Sequence, residues 1–255
     1  MVRNRGMMAS LQSMMQVIQK EYGEPVDTEF TITVSNRGEY MINLLQCRPL
    51  QVFQDTGSVS VPADVPAEKI VLETRHASMG LSRVIEPDLI VWVDPVAYYH
   101  LPYAEKTEIA SLIGRINWKY RDQGKHMILM APGRIGTSSP ELGVPTEFSD
   151  ISGFDAVCEI AESRAGYNPE LSYGSHIFQD LVEAQILYMA VFSDERTLQY
   201  QPELIMSLPN LVAAIPGGKR HEDVVYLADV SCHCKLFYDL SDEHALICFA
   251  KAESV

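Results

Sequence analysis

The chain has 255 residues, of which 47% are hydrophobic and 21% are charged. This length allows a large core in one or two domains, and the apolar content excludes a disordered or collagen-like chain. No apolar run approaches the roughly 20 residues that a membrane span needs, and no signal-peptide pattern follows the basic residues near the start. The 5 cysteines are too few for a disulfide framework, so the composition predicts a cytoplasmic protein in a reducing compartment.

Acidic residues are concentrated after residue 50. The five Lys/Arg and five Asp/Glu of residues 1–50 balance, so residues 51–255 carry the whole net charge of -14. Nucleic acids and anionic lipid surfaces are polyanions, and this charge therefore argues against either of them as a partner.

The first fifty residues predict a helix followed by a β-hairpin. Apolar residues recur at helical spacing from Met7 to Ile18, and Gly23 is a plausible end of that helix. Apolar and polar residues alternate over residues 29–34, turn residues follow at 35–38, and a second apolar run returns over residues 40–45. The next stretch is rich in Ser, Gly, Asp and Pro, which predicts a linker over residues 51–68.

From residue 69 onward, strand and helix patterns alternate. Apolar runs predict strands over residues 69–72, 89–93, 127–130, 156–160 and 186–192, with helices over residues 104–123 and 175–184. Three more strands, over residues 224–230, 235–238 and 245–249, are expected to be antiparallel. The predicted fold class is α/β: an N-terminal helix and β-hairpin joined to an acidic domain, residues 69–255, with a mixed, largely parallel sheet whose faces are covered.

Two pairs of polar residues give the hairpin its chemistry. Asp27 and Glu29 are two residues apart on the first strand and share a face. Gln46 and Arg48 are related in the same way on the returning strand. A two-residue loop at 36–37 or a four-residue loop at 35–38 places Asp27 opposite Gln46.

A loop at residues 37–38 instead places Glu29 opposite Gln46. Either register predicts all four polar side chains on one face. Two carboxylates, an amide oxygen and a guanidinium suit a magnesium-bound polyphosphate, because Mg²⁺ prefers oxygen ligands and Arg offers a planar fork to phosphate. The alternative is a solvated face with cross-strand ion pairs.

The same residues carry a resemblance to a known family. Residues 25–30 (PVDTEF) and 45–49 (LQCRP) resemble the end of the nucleotide-binding domain of phosphoenolpyruvate synthase and pyruvate phosphate dikinase. In that family an Asp-x-Glu strand and a Gln-x-Arg-Pro strand close the ATP-grasp site. The resemblance covers about fifty residues, so residues 1–50 are expected to be the C-terminal tail of an ATP-grasp domain.

The resemblance implies a role for each of the four residues. Glu29 and Gln46 would hold Mg²⁺, and Arg48 would be the catalytic contact to the transferring phosphate. Asp27 would support the site or face the nucleotide. The implied cofactors are Mg²⁺ and ATP, and the implied reaction is phosphoryl transfer toward pyruvate through a phosphohistidine.

Other parts of the family pattern are missing from these 255 residues. They include the large upstream part of the ATP-grasp domain, the Thr-Ser-His phospho-acceptor motif and a barrel-sized pyruvate-binding domain. We therefore expect a C-terminal piece of a larger phosphotransferase that is inactive alone, with the upstream ATP-grasp half as its partner. The alternative is a non-catalytic ligand-binding or interaction module. Residues 131–136 and 172–184 resemble segments of related proteins, but the resemblance assigns them no role.

Two residues of the second domain are candidates for an anion site. Arg134 lies in a glycine-containing loop after a predicted buried strand, where backbone N–H groups can face an anion. His176 follows Ser175 at a predicted helix start, where an anion is favoured. If the two loops meet at one edge of the sheet, Arg134 and His176 are predicted to bind an anion together. The alternatives are an ordinary connecting loop and a capped helix start.

Overall fold

The computed structural model describes residues 5–23, 26–49, 57–161, 171–172 and 175–249. The chain divides into two compact units, Met1–Gln54 and Asp55–Val255. No helix in these described ranges is long and apolar enough to cross a membrane.

The first unit is a helix packed on one face of a hairpin. Helix α1 (Arg5–Tyr22) is followed by the antiparallel strands β1 (Val26–Val34) and β2 (Tyr40–Pro49). Two contacts fix α1 on the hairpin: the Ser10 hydroxyl lies 2.8 Å from the Tyr40 hydroxyl, and the Thr28 hydroxyl donates to the Met15 sulfur at 3.2 Å. The predicted helix and hairpin are therefore present.

The second unit contains two sheets and several helices. In chain order its elements are β3 (Ile70–Arg75), β4 (Ser78–Met79), β5 (Arg83–Ile85), β6 (Leu89–Val93), α2 (Pro95–His100), α3 (Tyr103–Arg121), β7 (Met127–Pro132), α4 (Phe148–Ile151), β8 (Ala156–Ala161), α5 (His176–Glu183), β9 (Leu187–Phe192), β10 (Thr197–Tyr200), α6 (Glu203–Met206), β11 (Val225–Asp229), β12 (Cys234–Asp239) and β13 (His244–Phe249). Short 3-10 helices lie at Ala67–Lys69, Val212–Ala214 and Gly218–His221.

The larger sheet has the order β11-β6-β7-β8-β9-β4. Strands β6 to β9 are parallel and follow one another in sequence order, whereas β11 and β4 are antiparallel edges. Connections between parallel strands are nearly always right-handed. When each strand is added on the same side of the previous one, as from β6 to β9, the connecting helices therefore all lie on one face of the sheet. Ile109 and Ile113 of α3 and Leu181 of α5 accordingly share one core with alternate residues of these strands.

The opposite face of this sheet packs against a second sheet. The second sheet is antiparallel and has the order β10-β3-β13-β12-β5. Ile128 and Cys158 of the parallel strands share a buried cluster with Leu236 and Ile247 of the antiparallel ones. The domain thus has three layers: helices, parallel sheet and antiparallel sheet. The larger sheet is mixed and largely parallel, as predicted, but the predicted strands β3, β12 and β13 belong to the separate antiparallel sheet.

Part of the predicted linker belongs to the second unit. Val61 and Val65 pack against Ile70, Leu246 and Cys248 on the outer face of the antiparallel sheet. The Val59 amide also donates to the Asp239 carboxylate at 3.1 Å. Residues 57–66 are therefore a packed strap, and residues 51–56 lie outside the described ranges.

Candidate functional site

The loop of the hairpin has three residues, whereas the predicted loops have two or four. The Ser35 amide donates to the Glu39 carbonyl at 2.8 Å, and the Gly38 amide donates to the Ser35 carbonyl at 2.9 Å. The loop is therefore residues 36–38, with Gly38 in the left-handed region at φ 83. The predicted two- and four-residue loops are wrong. Continued regularly, this three-residue loop would place Asp27 opposite Cys47.

A β-bulge restores the pairing that the site needs. Phe30 pairs with Leu44, but the next residue of β1, Glu29, pairs with Gln46, so the register skips Leu45. One extra residue in one strand shifts the register by one and reverses which face the following side chains occupy. Glu29 lies opposite Gln46, and Asp27 lies opposite Arg48. All four side chains are consequently on one face.

This polar face is the one turned away from α1. Thr28 and Tyr40, which contact α1, occupy the other face of the hairpin. Cys47, the partner of Thr28, is also on the helix side, and its hydrogen bond to Tyr22 raises the pKa of that tyrosine. The helix therefore leaves the polar face uncovered within the first unit.

The polar face combines a positioned cation with two oxygen ligands. The Arg48 Nε donates to Asp27 Oδ2 at 3.2 Å, and the two side chains are 30% and 25% exposed. Glu29 is half-buried and Gln46 is exposed. Asp27 thus orients the Arg48 guanidinium. The Glu29 carboxylate and the Gln46 amide oxygen belong to the neighbouring residue pair on the same face. Such a face suits a metal-bound phosphate chain.

Residues 5–69 match the family model of the pyruvate phosphate dikinase AMP/ATP-binding domain. The matched region is 65 of 255 residues and contains α1 and the whole hairpin. Searches of curated proteins and of solved structures found no match. The amino-terminal part of the chain is therefore similar to a pyruvate phosphate dikinase ATP-binding region.

The loops that carry Arg134 and His176 meet at the carboxyl edge of the parallel sheet. The Arg134 Nε donates to the Leu171 carbonyl at 3.2 Å. A Cβ on Gly136 would lie 2.8 Å from Ile177, the residue after His176. His176 is exposed and Arg134 is half-buried. The two loops are thus in contact, anion binding there stays a prediction, and residues 173–174 lie outside the described ranges.

A buried glutamate that the sequence analysis missed holds these two loops together. Glu159, on β8, is fully buried and accepts hydrogen bonds from the Ile135 amide at 2.8 Å and the Ser172 amide at 2.7 Å. The Ser172 hydroxyl at 2.5 Å and the Tyr188 hydroxyl at 2.7 Å donate as well. Burial raises the pKa of Glu159, and the four hydrogen bonds oppose that change. A single charged residue inside the apolar run of residues 156–161 was the available signal.

Three residues at the opposite, amino edge of the parallel sheet line a cavity of about 580 Å³. Asp88, His126 and Asp155 precede β6, β7 and β8 respectively. Asp155 accepts from His126 Nδ1 at 3.0 Å and from the Met127 amide at 2.9 Å. The hydrogen bond and charge of Asp155 raise the pKa of His126. This pair therefore links two parallel strands electrostatically.

We expect the substitution Asp155→Asn to lower the pKa of His126 toward its ordinary value of about 6.5. Asparagine still accepts from the Met127 amide but removes the charge. Because the folded pKa of His126 is raised, the pair stabilises the fold fully below the unfolded pKa. That contribution disappears as the pH rises through the folded pKa.

An NMR titration of the His126 ring measures this change. Glu86→Gln is the matched control, because Glu86 lines the same cavity but pairs with Lys235 at 2.9 Å. An unchanged pKa of His126 in Asp155→Asn would contradict the prediction.

Proposed function

We propose that the first unit contributes one wall of a Mg²⁺-nucleotide site for phosphoryl transfer in a phosphoenolpyruvate synthase or pyruvate phosphate dikinase type reaction. The observation that carries the proposal is the bulge at Leu45, which sets Glu29 opposite Gln46 and Asp27 opposite Arg48 on the face of the hairpin that α1 does not cover. The family match over residues 5–69 supports the nucleotide as ligand.

The oxygen ligands on this face suit a magnesium ion that arrives with a nucleotide. No cluster of three or more metal-binding His, Cys, Asp or Glu side chains occurs in the ranges that the structure describes. Mg²⁺ keeps several waters and commonly takes only one or two protein oxygens beside the substrate phosphates. Glu29 and Gln46 supply that number of oxygens. When bound, the ion would neutralise phosphate charge, and Arg48 would do the same from the adjacent pair.

Further protein is needed to complete the pocket, which fits the proposal that the partner is the upstream half of an ATP-grasp domain. A two-stranded hairpin provides one wall and is marginally stable by itself. Large apolar side chains of this unit are also exposed: Val17 at 61%, Met41 at 58% and Leu45 at 63%. An apolar groove is lined by residues of α1 and by Leu44. These surfaces suit coverage by further protein, and pyruvate or phosphoenolpyruvate would bind elsewhere in the proposed larger protein.

Manganese provides a direct test of the proposed metal position. Mn²⁺ replaces Mg²⁺ on ATP and broadens the NMR signals of nearby amides, so it reports even weak binding to the full chain. We expect Mn²⁺-ATP to broaden the amides of Glu29 and Gln46 selectively and Glu29→Gln to reduce that effect.

Glu39→Gln is the matched control, because Glu39 is an exposed carboxylate in the turn of the same hairpin. Equal broadening in the wild type and Glu29→Gln would contradict the proposed position of the metal. Broadening spread over the acidic surface of the second unit would contradict it as well.

A further inference from the structure

A guanidinium with an unsatisfied buried donor lies against a glycine turn in the second unit. The Nε of Arg115, on α3, is buried and has no hydrogen-bond partner among the described residues. Gly217 has φ 80, and a Cβ at that position would lie 3.2 Å from Arg115 Nη2. Any side chain at residue 217 would therefore be strained and would crowd the guanidinium. Glycine at position 217 therefore leaves room for the Arg115 guanidinium to lie against the turn.

Two more cations follow this turn directly. Lys219 and Arg220 lie in the 3-10 helix Gly218–His221, and both are exposed. Within the described ranges neither side chain has an ion pair or a hydrogen bond to a carboxylate.

The geometry of the turn brings the three cations within reach of one another. The Arg220 amide donates to the Gly217 carbonyl at 3.4 Å, which makes one 3-10 turn. Such a helix rises about 2 Å per residue, so the backbone of Lys219 and Arg220 lies within about 6 Å of Gly217. Their flexible side chains can therefore approach the space beside Arg115.

The neighbouring acidic groups form no ion pair with these cations in the described ranges. Glu108, on α3, is the partner of the buried His221, whose Nε2 lies 3.0 Å from Glu108 Oε2. Glu222 and Asp223 follow the turn and are exposed, and neither forms an ion pair with Arg115 or Arg220 in the part of the chain that the structure describes. Like charges held near one another repel, and an anion placed between them removes that cost.

We propose that Arg115, Lys219 and Arg220 form a binding site for the doubly charged phosphate group of a small molecule. The Arg fork matches phosphate oxygens in two parallel hydrogen bonds, and Lys adds a flexible point charge. The site takes either free phosphate or a phosphate monoester, since both present the same dianion. It is independent of the nucleotide proposal, because all three residues belong to the second unit.

Calorimetric titration of the full chain at constant ionic strength tests the site, with inorganic phosphate, glycerol phosphate and malonate as probes. We expect phosphate to bind and Arg220→Ser to weaken its affinity by about tenfold or more, the usual loss for one charge-assisted hydrogen bond. Arg115→Gln should have at least the same effect. Lys119→Ser, which removes one exposed charge from the outer surface of α3, should change the affinity by less than about twofold.

The outcomes separate the possible ligands and the two proposals. Tighter binding of glycerol phosphate than of phosphate indicates a monoester ligand, and the reverse indicates free phosphate; both support the site. Equal affinity for malonate would overturn the preference for phosphate, and unchanged phosphate affinity in Arg220→Ser would overturn the site itself. Arg220 is exposed, so this variant decides the question even if Arg115→Gln fails to fold. Glu29→Gln should bind phosphate as the wild type does.

Discussion

Replacing Arg48 with glutamine should lower, by about 100-fold or more, the rate of the ATP-dependent phosphoryl transfer to pyruvate that we propose for a larger protein containing this unit. Arg48 is the one cation on the polar face among the described residues, and Asp27 holds its Nε at 3.2 Å. Glutamine keeps much of the length and polarity of the side chain but loses the charge. Catalysis therefore loses the group that is expected to neutralise the transferring phosphate.

The same substitution should change stability little. The Asp27–Arg48 pair is 25–30% exposed, and exposed ion pairs contribute at most about 1 kcal/mol to folding. Steady-state kinetics and thermal unfolding measured together separate the two effects. Arg37→Gln, an exposed arginine in the turn of the same hairpin, is the control and should retain full activity. Retained activity in Arg48→Gln would remove the basis of the nucleotide proposal.

The substitution Glu159→Gln should destabilise the second unit by about 3 kcal/mol. The glutamate is fully buried and accepts from four donors, and an amide replaces one acceptor oxygen with a group that itself donates. At least one buried N–H or O–H then faces another donor. Leaving a buried donor without its acceptor costs about 1–3 kcal/mol, and more where the lost hydrogen bond involved a charged group.

Thermal unfolding measures this loss. A domain of about 200 residues loses roughly 2–4 °C in Tm for each kcal/mol, so we expect a decrease of about 6–12 °C. Glu183→Gln, at the exposed end of α5, should change stability by no more than about 0.5 kcal/mol. A Tm of Glu159→Gln equal to that of the wild type would mean that the loops after β7 and β8 do not depend on this carboxylate.

The types of the larger elements could be predicted from the sequence, but their assignment to sheets could not. The predicted helix over residues 104–123 is α3, and the predicted strands over residues 89–93 and 127–130 are β6 and β7. These runs are apolar throughout because both faces of the parallel sheet are covered. The hydrophobic pattern of a strand does not reveal whether a helix or a second sheet packs on each of its faces. The antiparallel layer could therefore not be predicted. Strands as short as Ser78–Met79 carry no detectable pattern.

At the polar face, the residues could be predicted, but the reason for their alignment could not. The spacing of Asp27 and Glu29 gives a shared face whatever the turn. The positions of Gln46 and Arg48 depend on the turn length and on the bulge at Leu45 together, and Leu45 is an ordinary apolar residue with no bulge signature. Arg115 was likewise undetectable, because its relation to Gly217 arises only when α3 packs against a distant turn.

Because the register passes over Leu45, the hairpin should tolerate a deletion at that residue better than a deletion in its turn. Losing Leu45 would convert the bulge into a regular ladder and leave Glu29 facing Gln46, since the register already passes over it. Losing one residue from the three-residue turn would instead move each side chain of the returning strand to the opposite face of the hairpin. Gaps in alignments of related sequences should therefore accumulate at the position of Leu45, while the turn keeps a constant length.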